Sequence, residues 1–381
     1  MSLNIIIGGD FYPGERAEPF AINDPSRLWG DLAQQISNAD LRIINLECPL
    51  TVRGTPVKKT GPNLRAKPEV INCLSYAEID IVTLANNHIY DYGEQGLLDT
   101  LDLCRENNID TVGAHLSLKD SQQTFYKTIK GRTVSIVNFA ENEWCNASDS
   151  HGGANPMDVI DNARQIKNAA EHSDIVLVIV HGGPDGSPIP TPRMVKQYRF
   201  YAEQGASAIL GHHSHRATGY EVFNRTPIFY GLGNLMMPFE IPWDGWHEGM
   251  MVELSFDNEN IPEFRIIPYI QSEKFNGTIR IMSESESTIF LKYLNDVSMI
   301  IQDPEKLNRD WTSFSNKNKN LYLSNLFLKS NFIRKVINKL GIDYYSENTS
   351  QLMSFLNFTR CESHRDSLIL ILENRLKNIK E

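Results

Sequence analysis

A chain of 381 residues with 41% hydrophobic and 22% charged positions has ordinary globular composition, which excludes global disorder and allows a sizeable core without covalent staples. Lys and Arg number 37 against 47 Asp and Glu, a net charge of −10, so general nucleic-acid binding, which rests on neutralising phosphates, is not expected. Five cysteines, Cys48, Cys73, Cys104, Cys145 and Cys361, are widely spaced with no CxxC pair, and read as buried free thiols in a reducing compartment rather than as a disulfide framework or zinc knuckle.

The first ten residues, Met1 to Asp10, lack the basic and long apolar regions of a signal peptide, and no apolar run approaches the roughly 20 residues that span a bilayer. The expectation is a cytoplasmic protein. Short apolar runs then recur at Asn4–Ile7, Leu41–Asn45, Ile79–Leu84, Thr133–Asn138, Ile175–Val180, Ala208–Leu210 and Pro227–Tyr230, each rich in Ile, Val or Leu as buried strands are. Helical patterns fall between them at Arg27–Ser37, Glu94–Asn107, Met157–His172 and Thr191–Gln204. This alternation predicts an α/β unit with helices outside. Past residue 270 candidate strands become rare, and Ser287–Ile301, Leu321–Leu340 and Gln351–Lys380 read as helices. Two units are expected, residues 1–268 and a mainly helical extension over 269–381.

Polar residues gather where the strands end. The first strand runs into Gly8-Gly9-Asp10, the second into Asn45-Leu46-Glu47, and the third into Ala85-Asn86-Asn87-His88. Later strands end in His181-Gly182-Gly183, Gly211-His212-His213-Ser214-His215 and Gly231-Leu232-Gly233-Asn234. Ligands of open α/β sheets collect outside the carboxyl ends of strands. Each residue alone has an ordinary structural use as turn former, cap or core histidine. Three of the ten histidines lie within four positions, and the joint pattern of carboxylate, amide and imidazole is harder to dismiss. Such a mixed oxygen and nitrogen set suits one or two divalent ions, with Mn, Zn or Fe favoured. No thiol is placed to join, which argues against a structural zinc site. A carboxylate between two ions would hold the positive charges together, and Glu47 is the candidate.

These strings resemble the CapA family of poly-γ-glutamate capsule biosynthesis proteins, whose domain is similar to calcineurin-like metallophosphoesterases. The resemblance runs over about residues 4–255 and rests on Gly9-Asp10, Asn45 to Thr51, Leu84 to His88 with Asp91-Tyr92-Gly93, Gly211 to His215, and Tyr230 to Asn234. It implies two packed sheets flanked by helices. It also implies roles: Asp10 as first-strand metal ligand, Glu47 as bridge, Asn87 as amide ligand, His181 and His213 as ligands of one ion and His215 of the other. His88, with Asp91, forms the candidate catalytic group, while His212 and Asn234 are candidates for lining the substrate pocket. Phosphoesterases usually carry Asp-x-His in the first motif, but here Phe11 and Tyr12 follow Asp10, leaving one ion with fewer ligands.

The leading expectation is a metal-dependent hydrolase or transferase acting on a phosphoester or γ-glutamyl amide in capsule assembly. The alternative is a non-catalytic accessory protein that binds a polymer or a synthase partner through the same fold. Residues 321–340, with Lys329, Arg334, Lys335 and Lys339 opposite an apolar stripe, also have the pattern of a basic amphipathic helix that can lie on anionic membranes, although an ordinary packing helix is the simpler reading. No Gly-x-Ser-x-Gly elbow, Walker loop or His-Glu-x-x-His string occurs.

Overall fold

The computed structural model describes residues 2–241, 243–257, 262–272, 277–318 and 349–377. Its strands, in chain order, are β1 (Leu3–Phe11), β2 (Leu41–Leu46), β3 (Ile81–Thr83), β4 (Asp110–Val112), β5 (Ala114–His115), β6 (Phe125–Ile129), β7 (Arg132–Ala140) and β8 (Gly153–Ala154). They continue with β9 (Ile175–His181), β10 (Ala208–His212), β11 (Tyr220–Phe223), β12 (Thr226–Phe229), β13 (Asn234–Met236), β14 (Glu248–Phe256), β15 (Pro262–Gln271) and β16 (Ile279–Ile281). One eight-stranded sheet has the order β16-β15-β14-β1-β2-β3-β4, with β13 also paired to β1, and a six-stranded sheet has the order β11-β12-β10-β9-β7-β6. Strands β1 to β4 pair in parallel in the first sheet, as β7, β9, β10 and β12 do in the second.

The period-two alternation of strand side chains builds the layers. Leu3, Ile5 and Ile7 of β1 share a buried cluster with Ile175, Leu177 and Ile179 of β9, which fixes the two sheets face to face. Ile6 and Phe11 point to the opposite face of the first sheet, and Val176, Val178 and Val180 to the opposite face of the second. Helices α1 (Glu18–Asn23), α2 (Pro25–Trp29), α3 (Leu32–Ile36), α4 (Ile71–Tyr76) and α5 (Gly93–Glu106) supply side chains to the first outer face, α2 through Trp29 and α5 through Leu97. After the one-turn α6 (Leu118–Ser121), helices α7 (Val159–His172) and α8 (Pro192–Glu203) cover the second through Ile166, Tyr198 and Tyr201. The result is a layered α/β domain with a helical C-terminal region.

That region comprises α9 (Glu284–Gln302), α10 (Pro304–Lys317), α11 (Thr349–Arg360) and α12 (Glu362–Lys377). Val297, Ile301, Leu307 and Trp311 of α9 and α10 join the cluster beneath α8. The pair α11 and α12 docks through Leu370, which packs on the same cluster, and through polar groups. Asp366 Oδ2 accepts from Arg193 Nε at 2.7 Å and from Thr191 Oγ1 at 3.1 Å. Arg193 Nη2 also donates to Glu141 Oε1 at 2.6 Å, to which Ser363 Oγ donates at 2.9 Å. Among the described residues no helix is long and apolar enough to cross a membrane.

Several sequence expectations change. The helix expected over Arg27–Ser37 is two helices, because Gly30 takes φ 53° between them, a conformation glycine adopts freely. A Cβ there would strike the carbonyl of Ile279 on β16. The helix expected over Gln351–Lys380 breaks at Cys361, and residues 378–380 lie outside the described residues, as does the whole of Leu321–Leu340. The antiparallel pair of β14 and β15 was not expected at all, and with β16 it carries the first sheet past residue 268 to Ile281.

Candidate metal centre

Side chains from both sheets meet at the carboxyl ends of β1, β2, β3, β9 and β10. Asp10 sits near the end of β1, in register with Asn45 on β2 and Asn234 on β13. The preceding Gly9 lies so close to β13 that a Cβ would collide with the carbonyl of Gly233. Asp10 is fully buried and accepts at Oδ1 from Asn45 Nδ2 at 2.7 Å, with His212 Nδ1 3.0 Å away. Its Oδ2 accepts from the backbone N–H of His213 at 3.0 Å. Burial works to raise its pKa, but the hydrogen bond and charge of His212 and the nearby His181 and His215 outweigh that and hold the carboxyl below the usual range.

Glu47 follows β2 and is also fully buried. Neither carboxylate oxygen takes a hydrogen bond. Oε1 instead lies 3.6 Å from His181 Nε2 and 3.8 Å from His215 Nε2. Burial and the adjacent Asp10 carboxylate push the Glu47 pKa well up, the response expected of a carboxylate with no counter-charge.

His181 ends β9. Its Nδ1 lies 3.3 Å from Asn45 Nδ2 and its Nε2 3.0 Å from Asn87 Oδ1. Burial and the charge of His213 lower its pKa, favouring the neutral imidazole that ligates metals. His213 and His215 follow β10 at φ 82° and 54°, left-handed conformations that cost roughly 1–3 kcal/mol each outside glycine. His213 Nε2 faces Asp185 Oδ1 at 3.5 Å and Glu143 Oε1 at 4.0 Å. Burial would lower its pKa, but those acids, with Glu141 and Asp10, raise it. His215 Nδ1 lies 2.9 Å from Asn234 Oδ1.

Two groups of potential ligands share Glu47. Atoms of Glu47, His181 and His213 lie within 4.8 Å of one another, as do those of Asp10, Glu47 and His215. Asn87 Oδ1 adjoins the first group through His181. Phe11 and Tyr12 do not approach either: Phe11 stacks on Trp29 at 5.6 Å and Tyr12 on Phe239 at 5.4 Å. Burial also raises the Tyr12 pKa, keeping the phenol protonated.

His88 lies beside these groups. Its Nδ1 is 2.7 Å from Asp91 Oδ2 and 3.0 Å from the ammonium of Lys59, which also forms an ion pair with Asp91. Burial and the Lys59 charge push the His88 pKa down to about 4. A cavity of about 360 Å³ opens here, with Lys59, Asn87, His88, His213, His215 and Trp246 on its wall. His212 and Asn234, expected to line it, are instead buried at 1% and 0% exposure. They support Asp10 and His215 from beneath.

Sequence reasoning missed Asn45, Lys59, Glu143 and Asp185. Asn45 and Glu143 lie within reach of the strand-end rule: Asn45 stands in the string ending in Glu47, and Glu143 follows β7. Glu143 Oε2 accepts from Asn87 Nδ2 at 3.2 Å. Lys59 belongs to a loop with no regular pattern, so only the fold reveals it.

Comparison with known proteins bears on the same segment. A relative from Bacillus subtilis named PGA biosynthesis protein CapA is 30% identical over 237 residues, 61% of this chain and 62% of its own. The capsule biosynthesis protein CapA of Bacillus anthracis is 27% identical over 61% of this chain and 58% of its own. A Mycobacterium tuberculosis protein named as a probable polyglutamine synthesis accessory protein is 28% identical over 59% of this chain and 63% of its own. The chain thus spans about six tenths of the length of the curated relatives it matches. A crystal structure of a phosphatase from Mycoplasma pneumoniae superposes with a TM-score of 0.45 at 15% identity, covering 71% of this chain and 94% of that one. The family described as bacterial capsule synthesis protein PGA_cap matches residues 4–238, and the chain belongs to that family.

Proposed function

We propose that this protein is a metal-dependent hydrolase of the phosphoesterase type that serves capsular poly-γ-glutamate synthesis, acting on a phosphoester or a γ-glutamyl amide. The observation that carries the reading is Glu47: a fully buried carboxylate with no hydrogen bond to either oxygen, set between His181 and His215. A buried, unpaired carboxylate is costly unless a cation compensates it. The donor set of carboxylates, amide oxygen and imidazoles fits divalent ions. Glu47, Asn87, His181 and His213 would hold one ion, and Asp10, Glu47 and His215 another. Such ions supply Lewis acidity toward a phosphoryl or carbonyl oxygen.

The remaining groups have separate tasks. Asp91 engages His88 at Nδ1, which leaves Nε2 as the nitrogen that exchanges a proton with the leaving group. Lys59, at the cavity wall, pairs with Asp91 beside His88 Nδ1 and so steadies the His88–Asp91 pair. Asn45 and His212 fix the Asp10 carboxylate through its Oδ1.

A second reading, an accessory protein that binds polymer or synthase, is favoured by the turning away of Phe11 and Tyr12, which leaves the first motif a single ligand. One experiment separates the two. Protein stripped with chelator and reloaded with Mn²⁺ or Zn²⁺ is assayed on bis-p-nitrophenyl phosphate, p-nitrophenyl phosphate and γ-glutamyl-p-nitroanilide. Metal-dependent turnover that Glu47→Gln abolishes supports the hydrolase. Stoichiometric metal with no turnover on any of the three supports the accessory role.

A further inference from the structure

A second cluster of ligand-type side chains lies where the C-terminal helices meet the loop after β7. Cys361 and His364 are three residues apart across the start of α12, so one helical turn brings both to the same side. Glu143 faces them from that loop. Ligand atoms of Glu143, Cys361 and His364 all lie within 4.8 Å of one another, with His364 Nε2 3.7 Å from Glu143 Oε1. We propose that Glu143, Cys361 and His364 form a further divalent-metal site, suited to Zn²⁺, that clips the C-terminal helical pair onto the family domain.

Three observations support it beyond proximity. Cys361 is 1% exposed, and its Sγ has a carboxylate, Glu141 Oε2, at 3.6 Å. The thiol donates to that carboxylate, and a metal would take the place of the proton it shares there. Arg193 already pairs with Glu141, and Arg360 turns its guanidinium onto the ring of Trp144 at 4.0 Å. Glu143 is held from the other side by Asn87. Finally, Glu143 and His364 both reach the cavity wall, so a fourth position opens there for water or an anionic oxygen. Zinc takes Cys sulfur, His nitrogen and Glu oxygen as ligands, and three protein ligands leave a fourth position for water. On binding, the Sγ–H bond breaks, the sulfur lone pair enters the metal bond, and the proton leaves to solvent.

The site predicts a signature independent of catalysis. The two positions around Glu47 use oxygen and nitrogen only, whereas this one contains sulfur. The full chain, stripped and titrated with Co²⁺, should develop an intense near-ultraviolet thiolate-to-cobalt absorption. Cys361→Ser should abolish that band and lower bound metal by one equivalent. His181→Ala, which strikes the Glu47 groups, should leave the band in place, so failure of the proposed hydrolase site and failure of this one are distinguishable. Should Cys361→Ser not fold, His364→Ala serves, and the band should then appear only at far higher Co²⁺ or not at all. No band in the saturated wild-type protein, or a band that survives Cys361→Ser, overturns the proposal.

Discussion

Asn87 Oδ1 and His181 Nε2 approach to 3.0 Å although they follow strands of different sheets, β3 and β9. That contact joins Asn87 to the group formed by Glu47, His181 and His213, whereas Asp10, Glu47 and His215 have no fourth partner from Phe11 or Tyr12. Calorimetric titration of stripped protein with Zn²⁺ or Mn²⁺ should therefore resolve a tight and a weaker event at these positions. Asn87→Ala should weaken the tight event. Two equally tight events, or indifference to Asn87→Ala, would contradict the assignment.

His88 touches Asp91 and Lys59 and lies outside both groups. His88→Ala should lower turnover by roughly 10²–10⁴-fold, the usual contribution of a general acid or base, with metal content unchanged by elemental analysis. Equal losses of metal and rate would make His88 a ligand instead.

Arg193 bridges Glu141 and Asp366 with its side chain 24% exposed, and Glu141 is 3% exposed. Removing one partner of a buried pair leaves an uncompensated charge and costs about 3–5 kcal/mol. Arg193→Ala should lower the denaturation midpoint accordingly and expose the 349–377 segment to limited proteolysis before the rest. A cut pattern and midpoint equal to wild type would show that the pair does not hold the helices.

Glu286 offers a test of charge at the start of α9. Its carboxyl accepts from Arg280 and from the backbone and hydroxyl of Ser283, and these hold its pKa down from 4.5 to about 2. A depressed carboxyl stabilises the fold fully above the unfolded value, and that contribution is lost as pH falls toward about 2. The Tm difference between wild type and Glu286→Gln should thus be constant above about pH 5 and shrink steadily below it. A difference that grows on acidification would refute this.

The sequence makes the strands of both sheet interiors readable because they are continuous apolar runs buried on both faces, as at Ile175–His181. The β14 and β15 pair escapes because buried and half-exposed positions interleave over Val252–Phe256, and the polar string after it, Asp257 to Asn260, holds no imidazole to draw attention. The helix break at Cys361 has no glycine or proline to announce it. At the centre, residues after strands are legible by the strand-end rule, and that rule reaches Asp10, Glu47, Asn87, His181, His213 and His215. What it cannot give is depth. His212 and Asn234 are as polar as their neighbours, and only the packing of β10 and β13 against β1 puts them underneath. Lys59 approaches from a long loop whose path is set by tertiary contacts.

The centre straddles the seam between two sheets: β1, β2 and β3 lead into Asp10, Glu47 and Asn87, and β9 and β10 into His181, His213 and His215. The two groups that share Glu47 each take that carboxylate from one sheet and imidazole from the other. A partial opening that parts the sheets would break both of those groups and release an ion held by either. Ion affinity and resistance to unfolding then become two measurements of one quantity: free ion at a hundred times its dissociation constant adds about 2.7 kcal/mol to the closed state. On the proposed function, scarcity of the ion would act on this protein through its lifetime in the cell as well as through its rate.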